Sequence, residues 1–469
     1  MANQFQSIFD QQKNKSIILR TEPLKNRRKR LKDLKNWILN NKEKIHTAVH
    51  SDLRKSETDT DISEIFTVTT EINDALSHLN SWARPKRVSP GLTYLGTSAK
   101  IVYEPKGVCL IIAPWNFPFN LIGSPLASCL AAGNTAILKP SEHTPATSQL
   151  IKEMVEEIFD PSEVTVVEGS IPETTALLEL PFDHIFFTGS TNVGKIVMNA
   201  AAKNLSSVTL ELGGKSPVII DETANADDAA RKIVWGRFTN NGQTCIAPDY
   251  IFISSKVKDK FVDSAKKYVK QLFDSKEEGL EKTADYSRLV NVNHTKRLVD
   301  MLEEATSSGA KIEFGGTHNA DNRFIEPTLL SNINETNRIW QEEIFGPIMP
   351  MKIYDDIHAV INHINNKEKP LSLYLFSKSS KMKRLITQST SAGSMVINDV
   401  VVQYAHPNLP FGGVNHSGIG KSHGKYGFLE FSNQKSLLRQ RIGLTNALLF
   451  YPPFNGFKKW VVNFLIKWF

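Results

Sequence analysis

The chain has 469 residues and 52.6 kDa, with 41% hydrophobic and 22% charged residues, enough apolar material for two or three packed cores and too much for a disordered or collagen-like polymer. Its three cysteines, Cys109, Cys129 and Cys245, lie far apart with no CxxC spacing, so no disulfide framework or metal site is expected and a reducing, cytoplasmic setting fits. A net charge of +7 would suit a nucleic acid only if the cations clustered; in NRRKRLKDLK and KVKDKFVDSAKKYVKQ they alternate with acidic or apolar positions, as on solvated helix faces, so no nucleic-acid partner is expected.

The N-terminal MANQFQSIFDQQKNK is polar and lacks the apolar stretch of a secretory signal. RLKDLKNWILNN and ISEIFTVTTEINDALSHLNSWA place apolar residues at every third or fourth position and predict helices. From Gly107 to Leu138 there is no charged residue or histidine, which mimics a membrane span. Pro114, Pro118 and Pro125 break the run into a strand VCLIIA, a turn PWNFP, a helix FNLIGSPLASCLAAG and a strand TAILK. VTVVEG, HIFFTG and VTLELGG continue an alternation of strands and helices that predicts a mostly parallel sheet covered on both faces. A second series follows Ser216, through PVIID, DDAARKIVWGRFTNN, YIFIS, KDKFVDSAKKYVKQLF, FIEPTLL, MPMKIY, LSLYLFS and SMVIND. The fold class is therefore α/β with two sheet domains, divided near the glycine pair of Leu212 to Ser216.

Three stretches hold candidate chemistry. HIFFTGSTNVGK leads a strand through Gly189 to Gly194 and Lys195 at a helix start, where backbone N–H groups can hold phosphate. It matches most of a P-loop, but Ile196 stands where a Mg²⁺-binding hydroxyl belongs; the glycines can equally be structural. In VTLELGG, strand alternation sets Glu211 and Thr209 opposite Val208, Leu210 and Leu212. That carboxylate either faces solvent or, buried, becomes a stronger base. In NNGQTCIAPDY, Cys245 sits at a junction among amides, whereas Cys109 and Cys129 belong to apolar elements. Taken alone it can be an inert cysteine or a nucleophile. His406, His416 and His423 share a glycine-rich loop and read as structural.

PWNFP, FTGSTNVGK, LELGGKSP, NNGQTCIAP and EEIFGP together, in this order over nearly the whole chain, resemble the aldehyde dehydrogenase superfamily. The ending PFGGVNHSGIGKSHGKYGFLEFS and the YPPF tail are similar to its class 3 branch of fatty and aromatic aldehyde dehydrogenases. The resemblance implies a Rossmann-type cofactor domain (1–87 and 105–212), an α/β catalytic domain (213–402), a bridging or oligomerisation element (88–104 and 403–440), a C-terminal tail (441–469) and a homodimer. It implies Cys245 as nucleophile, Asn116 with the Cys245 backbone N–H as oxyanion donors, and Glu211 as the base that activates water. Lys139 and Glu142 would hold the adenosine ribose, Gly189, Ser190 and Gly194 the pyrophosphate, and Glu343 with Phe345 the nicotinamide riboside. The cofactor implied is NAD, with NADP also accepted, and no metal is implied. Oxidation of an aldehyde through a thiohemiacetal and a thioester would follow.

Three other activities remain to be distinguished: a CoA-acylating dehydrogenase, a P-loop nucleotide hydrolase and a cysteine hydrolase. The ending FNGFKKWVVNFLIKWF is too short to span a bilayer. A helical wheel sets Phe457, Trp460, Val461, Phe464, Leu465 and Trp468 opposite Lys459, Asn463 and Lys467, so it can lie on a membrane surface or pack on its own domain.

Overall fold

The computed structural model describes residues 3–468 apart from 92, 93, 95, 444, 446, 449 and 450. Positions 92, 93 and 95 of the expected bridging segment, and 444, 446, 449, 450 and 469 of the tail, lie outside the described residues.

The charge-free run forms the centre of the first domain. Val108–Ile112 and Thr135–Lys139 are neighbouring parallel strands buried along their whole length, with Cys109 in register with Ala136. The helix between them, Asn120–Ala132, is buried at every position, because it packs on these strands and also against the helix Phe66–Trp82. A helix covered on all sides has no polar face, and that is why its hydropathy imitates a membrane segment. Gly133 ends it at φ +93°, where a Cβ would also press on the Arg27 guanidinium. Among the described residues no helix is long and apolar enough to cross a membrane. Leu126 is fully buried in this layer, so Leu126→Ala should cost about 2–5 kcal/mol, measured as a lower urea midpoint.

Six strands make the first sheet, in the order Gly418–Ile419, Ser207–Leu212, His184–Gly189, Val108–Ile112, Thr135–Lys139 and Val164–Val166. All pairings are parallel except the first. The second sheet has seven, in the order Lys311–Phe314, Thr328–Ser331, Ile348–Tyr354, Tyr250–Ser254, Pro217–Ile220, Ser372–Phe376 and Ser394–Ile397. Only its outermost Lys311–Phe314 pairing is antiparallel. The chain passes from one sheet to the other between Leu212 and Pro217.

A three-stranded antiparallel ribbon joins Lys86–Val88, Ser98–Pro105 and Ser432–Arg439. Of the span 403–440, Ser432–Arg439 enters this ribbon. Gly418–Ile419 pairs with Leu210 and Glu211 and covers the open edge of the first sheet, and the helix Gly424–Glu430 packs on Asn120–Ala132 and Phe66–Trp82. These residues come back to the first domain beside Glu211.

Candidate active site

The loop that carries the candidate nucleophile Cys245 is shaped by backbone geometry. The helix Ala226–Phe238 runs into the turn Thr239–Gly242, in which Asn240, Asn241 and Gly242 take φ values of +51°, +57° and +72°. Asparagine and glycine tolerate this left-handed region best, and at Gly242 any Cβ would collide with the Gly346 carbonyl. The surrounding amides hold the loop rather than the thiol. Gln243 Nε2 donates to the carbonyls of Asn240 and Arg288 at 3.0 Å each, while the Val290 N–H donates to Gln243 Oε1 at 2.9 Å. Asn241 Nδ2 reaches the Ser287 carbonyl at 2.6 Å and Tyr374 Oη the Ile246 carbonyl at 2.5 Å.

Cys245 is half-buried in a small apolar cluster with Ile246, Leu371, Val401, Tyr404 and Phe411. Burial first, then the carboxylates of Glu211 and Glu343, push its thiol well above the ordinary thiol range, against the backbone N–H groups of Cys245 and Ile246 that favour the thiolate. Cys109 and Cys129 are fully buried.

Asn116 arrives from the first domain, in the turn after Val108–Ile112. It is buried, and its Nδ2 donates to the Gln243 carbonyl at 2.9 Å, two residues before the thiol, while its Oδ1 has no partner among the described residues. A buried ion pair fixes this turn. Lys55 Nζ lies 2.7 Å from Glu64 Oε1 and 3.3 Å from the Asn116 carbonyl, and 4.1 Å over the Phe117 ring. Glu64 Oε2 accepts the Asn120 N–H at 2.8 Å. Glu64 reaches these groups from a π-helical turn, Asp61–Ile65, a widened turn that often marks functional segments.

Glu211 is buried near the end of Ser207–Leu212, so its solvent-facing reading falls away. Ser422 Oγ donates to its Oε1. Burial raises its carboxyl above the usual range, reinforced by Glu71 and opposed by His423, Ser422 and Lys421. His423 and Glu71 are a pair that the sequence does not reveal: His423 Nδ1 is 2.7 Å from Glu71 Oε1, and the Gly424 N–H donates to Glu71 Oε2 at 2.9 Å. His416 instead faces Glu368. Among the described residues no cluster fit to hold a metal ion occurs.

The proposed cofactor residues lie at the carboxyl ends of first-sheet strands and on the loop after Gln341. His184–Gly189 ends at Gly189; Ser190 caps the helix Thr191–Asn204 by accepting the Val193 N–H at 3.4 Å. Gly194 lies in that helix's first turn, where a Cβ would stand 2.6 Å from Leu212 Cδ2, so glycine lets the helix press onto the strand. Gly189 to Lys195 is thus a capped helix start rather than a phosphate-wrapping loop, a second difference from a P-loop beside Ile196. Lys139 ends Thr135–Lys139, buried, with its Nζ donating to the Pro140 carbonyl at 2.8 Å and 4.0 Å from the half-exposed Glu142. A buried ammonium with one close partner and an open carboxylate beside it suits the hydroxyls of a ribose. Glu343 is raised to about 7 by burial and Asp249, and it accepts from the Gly214 N–H. Phe345, at φ +52°, packs edge-on against Trp115 with centroids 5.4 Å apart, and its carbonyl faces His294 Nε2 at 2.8 Å. Burial lowers His294 to about 4, so the ring is neutral at pH 7. His294 stood in no motif; its role in holding Phe345 is visible only in space. These residues fit a dinucleotide: the neutral rings of Trp115, Phe345 and His294 stand beside one titrating carboxyl, Glu343.

A family model described as the aldehyde dehydrogenase family matches residues 2–437. The chain is 45% identical to a putative aldehyde dehydrogenase AldX of Bacillus subtilis (strain 168), covering 93% of this chain and 97% of the relative. It is 42% identical to the 4,4'-diaponeurosporen-aldehyde dehydrogenase of Staphylococcus aureus, covering 98% and 97%, and 40% identical to the dimeric NADP-preferring aldehyde dehydrogenase of Mus musculus, covering 92% and 94%. A solved structure of Staphylococcus aureus AldH in a substrate-bound state superposes with a TM-score of 0.94 at 41% identity, covering 99% of this chain and all of that one.

Proposed function

The chain belongs to the aldehyde dehydrogenase family, and from that premise we propose that Cys245 attacks the substrate, Asn116 steadies the oxyanion and Glu211 activates the hydrolytic water. The enzyme oxidises aldehydes to carboxylic acids with NAD or NADP. The observation that carries the residue assignment is convergence on one half-buried thiol. Asn116, bonded to the thiol's own loop, and the N–H groups of Cys245 and Ile246 supply donors, while a buried carboxylate, Glu211, approaches from the first sheet.

Bound, the oxidised nicotinamide supplies the hydride acceptor and a positive charge. As the thiolate, Cys245 Sγ forms a bond to the aldehyde carbon, and the carbonyl oxygen, gaining the electron pair of the C=O π bond, accepts from Asn116 Nδ2 and the Cys245 N–H. After oxidation the acyl group remains on sulfur as a thioester. Glu211 then takes a proton from water as the water oxygen bonds to the acyl carbon, and the C–S bond breaks with its electron pair on sulfur. A buried carboxylate positioned as base favours water over CoA as acceptor. Asn116→Ala should lower kcat about 10²–10³-fold with little change in KM.

Medium- to long-chain aliphatic or aromatic aldehydes suit the apolar cluster of Val401, Tyr404 and Phe411 at the thiol. A panel from short aliphatic to long-chain and benzylic aldehydes, followed by nicotinamide reduction with NAD and NADP, tests the activity; no reduction with any of them would overturn it.

We also infer a homodimer and a cytoplasmic enzyme that touches a membrane surface through its tail. The helix Gly456–Trp468 turns Val461, Val462 and Leu465 half inward, while Phe457, Trp460, Phe464 and Trp468 stay exposed in a row, with ring centroids 6.0–6.5 Å apart. The helical wheel had put Val461 and Leu465 with the aromatics; packing divides them. An exposed aromatic row with Lys467 Nζ 5.6 Å over the Trp468 ring supports lipid contact. Deleting residues 454–469 should abolish binding to anionic liposomes, and unchanged binding would sink this reading.

A further inference from the structure

Glu211 must lose the proton it takes from water before it can act again, and it is buried. Two adjoining cavities lie behind it. The first is lined by Glu211, Ser422, His423, Glu71, Tyr404 and Ser124, and has room for about one water molecule. The second is lined by Glu71, His423, Tyr404, Thr67, Thr70 and Pro407, and it is bounded by the exposed Phe66 and Ala405. Glu71, His423 and Tyr404 are common to both walls.

The Glu71–His423 pair is held with unusual care. Glu71 accepts at both oxygens, from His423 Nδ1 and the Gly424 N–H. The His423 ring meets the edges of Tyr404 and Phe411 at 4.6 Å and 5.2 Å. Its backbone takes φ +72° and ψ +137°, a region sparsely used by residues with a side chain, where strain persists only when the surroundings fix it. Nothing in the steps above uses this pair.

We propose that the Glu71–His423 pair is the proton exit of Glu211. After hydrolysis the proton on Glu211 passes through the first cavity to His423 Nε2, the Nδ1 proton shifts to Glu71 Oε1, and Glu71 releases it through the second cavity. One proton enters and one leaves; no bond to carbon and no electron pair outside the O–H and N–H bonds is involved. His423 acts through Glu211 and is a positioning residue. The charged and titratable groups that face it are Glu71 and, at the neighbouring Gly424, Asp74 from Phe66–Trp82, Glu211 from Ser207–Leu212, Tyr404, and Lys421 on its own loop. Glu71 and Glu211 together raise the imidazole above its ordinary value despite burial. The ring can accept a proton only once it is neutral, so turnover limited by deacylation should climb with pH through a region above the ordinary imidazole range.

The inference rests on Cys245 and Glu211 acting as assigned above, and rapid-mixing measurement of the NADH burst and of steady-state kcat against pH separates the two. Glu211→Gln without a burst would overturn the underlying assignment. With that burst present, His423→Gln should keep a burst within about twofold of the unsubstituted enzyme, lower steady-state kcat about 10–100-fold, shift the ascending pH limb to the one set by Glu211 alone and regain turnover on adding imidazole. Glu71→Gln should also lower kcat, because the exit is cut at its second member, and should move the remaining limb to lower pH, because the anion that raises His423 is gone. If His423→Gln leaves kcat and the limb unchanged, or abolishes the burst together with turnover, the pair is not a proton exit. An unmoved limb in Glu71→Gln would also overturn it.

Discussion

Glu211→Gln should leave an enzyme that reduces about one nicotinamide per site and then nearly stops. In the proposed mechanism acylation needs only the Cys245 sulfur and the oxyanion donors, and the carboxamide keeps the size of the side chain and an oxygen for the Ser422 hydroxyl. Deacylation needs a base, and removing a positioned base lowers a rate by about 10²–10⁴. The pH dependence carries a sign. The Glu211 carboxyl is raised by burial and by Glu71, so its basic form, and steady-state turnover with it, should fade as pH drops toward a value above the usual carboxylate range. The same variant decides the acyl acceptor. Added CoA would restore turnover of an acyl-enzyme built for thiol transfer, whereas free CoA should do little where Glu211 and water are the deacylating pair. A variant with unchanged kcat would remove Glu211 from the mechanism.

The sheets, their division near Gly213 and the buried helix Asn120–Ala132 were legible because strands and helices write their period into local sequence. Cys245 and Glu211 each carried a structural reading beside a chemical one, and only the shared order of their motifs with PWNFP made the chemical one the expectation, with Asn116 joining them through that resemblance. What the sequence could not show is how distant segments meet. His423 looked like one of three loop histidines, and its partner Glu71 lies 352 positions away on a helix whose buried face it shares with Ile72 and Ala75. A buried carboxylate on an amphipathic helix leaves no periodic trace that separates it from a solvated one. The same holds for Lys55 and Glu64, nine residues apart, whose joint contact with Asn116 and Asn120 depends on a π-turn. A two-residue strand, Gly418–Ile419, likewise has no period to read, and only its pairing with Leu210 and Glu211 places it.

Cys245→Ala should abolish both the burst and steady-state turnover, a loss of at least about 10⁴-fold, because removing a covalent nucleophile leaves only binding and oxyanion donors. Cofactor binding, followed by quenching of protein fluorescence, should persist, since the residues at Lys139 and Ser190 are untouched. The unsubstituted enzyme offers a second reading of the same atom. Burial and two carboxylates raise the Cys245 thiol, so without cofactor the thiolate is a small fraction at neutral pH. Alkylation by iodoacetamide should then rise about tenfold per pH unit from pH 6 to 9 without levelling. Cys109 and Cys129 are fully buried, which confines the reaction to one site. A positive charge beside a thiol lowers its pKa, so saturating NAD should accelerate alkylation at pH 7 wherever it leaves the thiol accessible, an effect absent with the uncharged reduced ring. A plateau near pH 7 without cofactor would show a thiol already activated in the resting enzyme, and would put the activating group in the protein instead of in the bound nicotinamide.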